Sequence, residues 1–349
     1  MARLTLLFAM LLGLLSGCGR APAPDGTLVL TYASPYPATH TFSRADQAWM
    51  DFIARESKGR IHIKPYWGGA LLSSNENMLE IRHGVADIGM ITPMYARSAH
   101  LQRIQPSFYS GVGTMADQIA VYRCLAETYP AFNAEVRGLH VLAVQGGNFP
   151  GILTRNRPVR SLADLKGLRL RAQEDTANVL RALGADPVNM SMAEVYPSMA
   201  KGVIDGVITP VDALKSMHLA DVATYYTTLR IPRGAYPARA MGEKVWQRLS
   251  AADQALFTRA EAVWEAAMIS GLDQSVAVSM EYAKGAGLSF IAPAPGAQEE
   301  FDALYRANAT RLGATLGKLG IPGRQIAEHA TALVAARTAG QLLDCGKTQ

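Results

Sequence analysis

The chain is short of cysteine and aromatic side chains, with three cysteines in 349 residues and Phe, Trp and Tyr together at 7%. It has one long apolar run, Leu4 to Leu15. Each shortage excludes something. Three cysteines cannot make the framework of a disulfide-stapled domain, and the seven histidines are scattered, with no H-E-x-x-H and no Cys-His cluster at ligand spacing. A hydrolase elbow of the G-x-S-x-G type is missing. So are G-x-G-x-x-G and G-x-x-x-x-G-K-[ST], the loops that cradle nucleotide phosphates. No metal or cofactor is implied. The 34 basic and 29 acidic residues are interspersed, giving a formal charge of +5, and no basic block with interleaved aromatics appears, which argues against a nucleic-acid partner.

What is present is a chain with 49% hydrophobic residues, enough for a large core, and a length that suggests two domains. Arg3, the run Leu4 to Leu15, and Ser16-Gly17 before Cys18 read as an export signal over residues 1–17, since the run is too short to span a bilayer. Leu15-Ser16-Gly17-Cys18 also has the form of a lipobox, which would leave Cys18 as a lipid-bearing N-terminus and make that lipid the only membrane attachment. Pro22, Pro24 and Gly26 form a tether. Cys124 and Cys345 are an even pair in an oxidising compartment and permit a disulfide. Cys124 lies in an apolar helical pattern, however, and the expectation favours a free buried thiol.

The densest information lies between Pro158 and Pro210. Leu168 to Arg171 alternates as a strand, Thr176 to Leu183 has helical spacing closed by Gly184, and Pro187 to Met190 is a second strand. Ser191 and Glu194 are placed as a capping box for a helix to Gly202, and Ile204 to Thr209 is a third strand. Strands alternating with helices predict an α/β domain with a mostly parallel sheet, whose ligands bind beyond the carboxyl ends of the strands. Arg171 is at such an end.

This stretch resembles the solute receptors of tripartite ATP-independent periplasmic (TRAP) transporters, the DctP-type family. There PV, D-L-K-G-L-R-L-R, G-A-x-P-V, an E-V-Y helix and a D-G turn follow in the same order. The first 95 residues add a P-x-x-H loop ending at His40, K-G-R-I-x-I-K-P-Y ending at Tyr66, and G-V-A-D-I-G. The resemblance covers about residues 27–330. It implies a two-lobed periplasmic binding protein of type II-like topology, with a hinge and a long helix spanning both lobes. It also implies a small organic acid as ligand and TRAP membrane subunits as partners.

Along the chain, strands are expected at Leu28–Ala33, Arg60–Tyr66, Asp87–Thr92 and Leu139–Gln145. Helices are expected at about Ser43–Ser57, Asn75–His83 and Met115–Tyr129, with Gly146-Gly147-Asn148 as hinge. Tyr225 to Leu229 and Pro237 to Gly242 are expected to return the chain to the first lobe, and Ser250 caps a long helix to about Tyr282. Lobe I is placed at residues 27–147 plus about 230–270, and lobe II at 148–229 plus about 271–340.

Arg171 occupies the position at which the resembled family carries its carboxylate-clamping arginine, and a guanidinium offers two parallel donors to a carboxylate. A solvated arginine paired with Glu174 or Asp175 is the plainer alternative. Trp67, Thr92, Tyr95, Asn148, Thr209 and Asp212 are further candidates, all at strand ends or the hinge. Two departures bear on the ligand. Asp205-Gly206-Val207-Ile208-Thr209-Pro210 replaces the D-G-x-E-N-P of sialic acid and dicarboxylate receptors, and Phe149-Pro150-Gly151-Ile152 stands where some members place a second arginine. Both predict one acid group and a less polar remainder. Two other functions stay open: a lipid-anchored sensor handing its closed state to a membrane receptor, and a periplasmic enzyme on the same scaffold.

Overall fold

A computed structural model describes residues 26–346; the residues read as an export signal, and Cys18, lie outside them. The chain starts with β1 (Leu28–Ala33), helix α1 (Thr41–Glu56), β2 (Ile61–Tyr66) and β3 (Ile88–Met90). α1 begins two residues before the expected Ser43 because His40 caps it: its Nδ1 accepts from the Phe42 N–H at 3.1 Å. Ala45, Trp49 and Ile53 recur at helical spacing and are buried. After α2 (Met115–Thr128) comes β4 (Leu139–Gln145). The chain then crosses to a second sheet through β5 (Gly151–Thr154), β6 (Arg169–Arg171), helix α3 (Glu174–Ala182), β7 (Asp186–Val188), helix α4 (Met192–Ala200), β8 (Gly206–Thr209) and β9 (Tyr225–Thr227). The capping box read at Ser191 and Glu194 forms, and Ser161 with Asp164 forms a second one.

Residues 228–235 cross back to β10 (Tyr236–Gly242), and the chain continues through α5 (Ala251–Gly285), β11 (Ser289–Ile291), α6 (Ala297–Leu316) and α7 (Gly323–Thr338). Two sheets result, ordered β2-β1-β3-β10-β4 and β11-β9-β5-β8-β6-β7. The neighbours β1/β2, β1/β3, β6/β7, β6/β8 and β9/β11 are parallel. In each sheet one strand runs antiparallel to both its neighbours, β10 in the first and β5 in the second. Each of these two strands is reached by a short crossing from the other sheet, whereas β11, which also arrives from the other sheet, comes by way of the long helix and pairs parallel.

Period-two burial explains the second sheet. Ile152 and Ile208 face one apolar cluster with Leu170, while Leu153 and Val207 face another with Val195 and Tyr226. α5 has 35 residues, about 52 Å of rod. Its Phe257, Trp264, Met268 and Leu272 pack in the first lobe, and its Ala283 in the second. It is the expected long helix, capped as read by Ser250.

Three expectations change. Tyr225–Thr227 pairs with β5 and β11 in the second sheet, so the return begins only after it. The C-terminal portion assigned to lobe II divides: Phe301 and Tyr305 of α6 pack in the second lobe. Leu312 of α6 and Ile326, Ala330 and Leu333 of α7 pack in the first. Cys124 and Cys345, expected to be free, form a disulfide. The apolar pattern around Cys124 is real, but it is the docking of α7 against α2 that brings Cys345 to it.

The first lobe is organised about an ion pair. Asp46 Oδ1 accepts from Arg239 Nε at 2.6 Å and from Trp264 Nε1 at 2.7 Å, and its Oδ2 accepts from the Tyr32 hydroxyl at 2.5 Å. Arg239 is 1% exposed and lies over the Trp264 ring. Removing one member of a buried pair strands the other charge, at about 3–5 kcal/mol. Asp46→Asn should therefore lower unfolding free energy by about that amount, read from urea midpoints at constant m; a loss under about 1 kcal/mol would mean that water reaches Arg239.

Candidate functional site

The carboxyl ends of β3 and β6 face each other across the lobes and bound a cavity of about 90 Å³. The first lobe contributes Tyr36, His40, Phe42, Thr92 and Tyr95; the second contributes Arg171, Asp175, Thr209 and Asp212. Arg233 comes from the second crossing segment, and Tyr236 begins β10. Much of the remaining wall is apolar, including Met90, Met94, Met192, Ile208 and Met217.

Arg171 is 3% exposed. Its Nε donates to the Met190 carbonyl at 3.0 Å and its Nη2 to the Tyr95 hydroxyl at 2.6 Å. The plainer alternative fails, because Glu174 pairs with Arg103 and Asp175 accepts from the Tyr305 hydroxyl at 3.0 Å. Among the described residues no carboxylate lies within ion-pair distance of Arg171. Two neutral acceptors hold the guanidinium in place and leave part of its fork open to the cavity. The Tyr95 contact and the Arg103–Glu174 pair both bridge the lobes, so the cleft is closed.

The other candidates fall in different places. Thr209 lines the cavity with its buried Oγ1 unpartnered. Tyr95 lines it as the partner of Arg171. The Thr92 hydroxyl is already engaged, donating to the Ser74 carbonyl and accepting from Asn77 Nδ2, so only the rest of that side chain is offered. Asp212 lines the cavity, but its Oδ1 accepts from Asn148 Nδ2 at 2.8 Å. Asn148 itself does not line the cavity and acts on Asp212. Trp67 is a correction: it packs edge-on to Tyr32 at 5.5 Å and joins the first core, because β2 is the outer strand of its sheet.

The glycine hinge also has a different physical basis. Neither Gly146 nor Gly147 adopts a positive φ. A Cβ on Gly146 would meet Gln118 Oε1 at 2.7 Å, and one on Gly147 would meet the Arg233 guanidinium carbon at 2.5 Å. Close approach, not torsional freedom, requires glycine at both positions.

Sequence reading missed Arg233, His40 and Asp175. Arg233 shares the crossing segment with Arg230, and nothing in the sequence distinguishes the one that enters the cavity. With Arg171, Arg233 makes two guanidinium groups bordering the cavity. Burial raises the carboxyl pKa of Asp175 and of Asp212. The bonds from Tyr305 and Asn148 respectively, and the nearby charge of Arg233, oppose that rise. His40 is pushed down to about 3 by burial and by the charges of Arg239 and Arg44. It is therefore a neutral ring at ordinary pH, and with Nδ1 accepting, its proton sits on Nε2.

Comparison with known proteins follows the same outline. Residues 33–310 match the family described as bacterial extracellular solute-binding protein, family 7. A solute-binding protein of Roseobacter denitrificans is 31% identical over 144 residues, which is 41% of this chain and 44% of that protein. The 2,3-diketo-L-gulonate-binding periplasmic protein YiaO of Escherichia coli is 24% identical over 54% of this chain and 59% of its own. The match thus spans about half the length of these relatives. A TRAP solute binding protein from Rhodoferax ferrireducens, solved in complex with copurified benzoate, superposes with a TM-score of 0.81 at 20% identity, covering 90% of this chain and 99% of that one.

The depressed His40 sets a pH dependence. Its folded pKa of about 3 lies below the ordinary 6.5, so stability is full above 6.5 and is lost as pH falls from 6.5 toward 3 and the unfolded chain takes up a proton. At pH 5 the loss is about 2 kcal/mol. His40→Asn keeps an N-cap acceptor and should remove that part of the loss, narrowing the gap between urea midpoints at pH 7 and pH 5; an unaltered gap would show that His40 is not the group responsible.

Proposed function

This chain belongs to the bacterial extracellular solute-binding proteins of family 7, and on that footing we propose that it is the receptor of a TRAP transporter, closing around a small organic acid and delivering it to the membrane subunits. The observation that carries this reading is Arg171, buried between two lobes with no carboxylate partner of its own and with donors turned to a small closed cavity. A buried cation costs desolvation free energy unless an anion completes it. An organic carboxylate supplies that anion in the fork geometry a guanidinium prefers. The benzoate of the Rhodoferax protein and the diketogulonate named for the Escherichia protein are both carboxylates, which supports this choice.

Release requires the Tyr95–Arg171 and Arg103–Glu174 contacts to part, and the ligand shifts the balance toward closure to the extent that it binds the closed form better.

Localisation is extracytoplasmic, as the family description states. The lipid anchor is a finer proposal resting on Leu15-Ser16-Gly17-Cys18. Cys18→Ala should move the protein from the membrane to the soluble fraction with its thermal melt unchanged; a wild type already found in the soluble fraction overturns it.

The receptor reading is tested on the soluble form beginning after Cys18, with the acid that copurifies identified by mass spectrometry. Truncating one partner of a buried charge pair costs roughly 2–5 kcal/mol. By isothermal titration Arg171→Ala should weaken that acid about thirtyfold or more. Arg171→Lys, which keeps charge but loses the fork, should fall between. Small-angle scattering of the stripped protein should show a smaller radius once the acid is returned. If Arg171→Ala binds as tightly as the wild type, the carboxylate is held elsewhere and the reading fails.

A further inference from the structure

Arg233 is a second cation in the cavity, and no strand end brings it there. It stands on the segment crossing from β9 to β10, with its guanidinium laid against Gly147 of the other crossing segment. Its hydrogen bond to the Asn148 carbonyl is long, at 3.4 Å, and no carboxylate among the described residues lies within ion-pair distance. Its guanidinium is hydrogen-bonded to the Tyr236 side chain as well, and its charge reaches Asp175, Asp212 and Tyr36. Arg233 therefore faces the space between the lobes with donors to spare. Thr209 supplies an independent sign of the same vacancy in bonding: its Oγ1 is fully buried, lines the cavity and has no hydrogen-bond partner.

The two guanidinium groups reach a cavity of about 90 Å³ from different supports, Arg171 at the end of β6 and Arg233 from the crossing segment. In so small a space, acceptors serving both arginines must be close together on the ligand. The cavity is also lined by two carboxyl groups, Asp175 and Asp212, each already engaged by a donor of its own, Tyr305 and Asn148. A second carboxylate on the ligand would stand beside these acidic oxygens, so a single one fits better. The wall beyond the polar end is formed by Phe42, Met90, Met94, Met192 and Met217, so the rest of the ligand is apolar.

We infer that the site selects monocarboxylic acids carrying an oxygen on the carbon next to the carboxyl group, that is 2-hydroxy or 2-oxo acids with a compact apolar body. Arg171 holds the carboxylate, while Arg233 and the Thr209 hydroxyl hold the adjacent oxygen. Arg233 is then a specificity-determining residue. This rests on the organic-acid reading above and narrows it. The chemistry a wall of this kind can enforce is large: a group built to bond an oxygen is left desolvated and unpaired by a ligand that lacks it.

The test uses matched acids that differ only at the second carbon: mandelate, phenylglyoxylate, phenylacetate and phenylmalonate, with lactate and propionate, and 4-methyl-2-oxopentanoate and 4-methylpentanoate, as smaller and branched pairs. Each is titrated calorimetrically against the stripped soluble protein. Within a pair the oxygenated acid should bind about 10- to 100-fold tighter, the worth of one hydrogen bond to a charged donor. Arg233→Gln should cut that ratio to about threefold or less while leaving the plain acid nearly unchanged, and Arg171→Ala should weaken both. Thr209→Val, a nearly isosteric change, should lower the ratio in part and serves if Arg233→Gln misfolds by circular dichroism. Equal binding within every pair, or phenylmalonate binding tightest, overturns the inference and leaves the acid receptor standing. Failure of every acid in the panel to bind overturns this inference, while the acid-receptor reading stands or falls on the copurified acid.

Discussion

The buried pair of Asp46 and Arg239 is the constraint on which the first lobe and one wall of the cavity depend. Asp46 belongs to α1, and its three donors come from β1, β10 and the long helix. One carboxylate therefore fixes four elements that are far apart in sequence. Arg239 passes the constraint on through Nη1 to Gln145 Oε1 on β4, and Gln145 Nε2 donates to the hydroxyl of Tyr236, a cavity residue. Charges without water tolerate no loose geometry, since attraction must recover the desolvation of both ions. The strand that comes back from the second lobe is thus docked by an arginine that has one place to go, and the cavity wall inherits that precision.

Local grammar made much of the fold legible. β4 has the bounds expected for it, Leu139–Gln145, and the capping box at Ser191 and Glu194 needed only spacing. Arg171 was legible because the short alternating strand that ends on it resembles the one on which the family carries its clamping arginine. What escaped were contacts closed over long separations. Cys124 and Cys345 are 221 residues apart, and nothing near either one announces the other. Tyr225–Thr227 was read as part of the return because its partner β11 lies more than sixty residues ahead.

The errors within the site have a common cause. Trp67 and Asn148 are at the right ends of the right segments, but side-chain direction is decided by neighbours that the sequence does not order: Tyr32 for the one, Asp212 for the other. Arg233 was hidden for the reverse reason. It sits in no periodic element, and its place is set by the bare backbone of Gly147, against which it lies. A glycine pair that looked like a swivel is the seat of a side chain from the opposite crossing, so the two segments joining the lobes are packed on each other as well as on the cores.

The edge strand β11 pairs with β9, Ser289 opposite Tyr225, only after the chain has made the long helix. The second sheet therefore lacks its outer strand until about residue 291 is available, and the first core lacks α7 until still later. Neither lobe can finish until most of the chain has been synthesised. For a chain that has to be threaded through a membrane before it works, this postpones the cooperative step: the contacts that would lock a compact body during passage involve segments that have not yet been made, and the pairing of Cys124 with Cys345 comes at the very end.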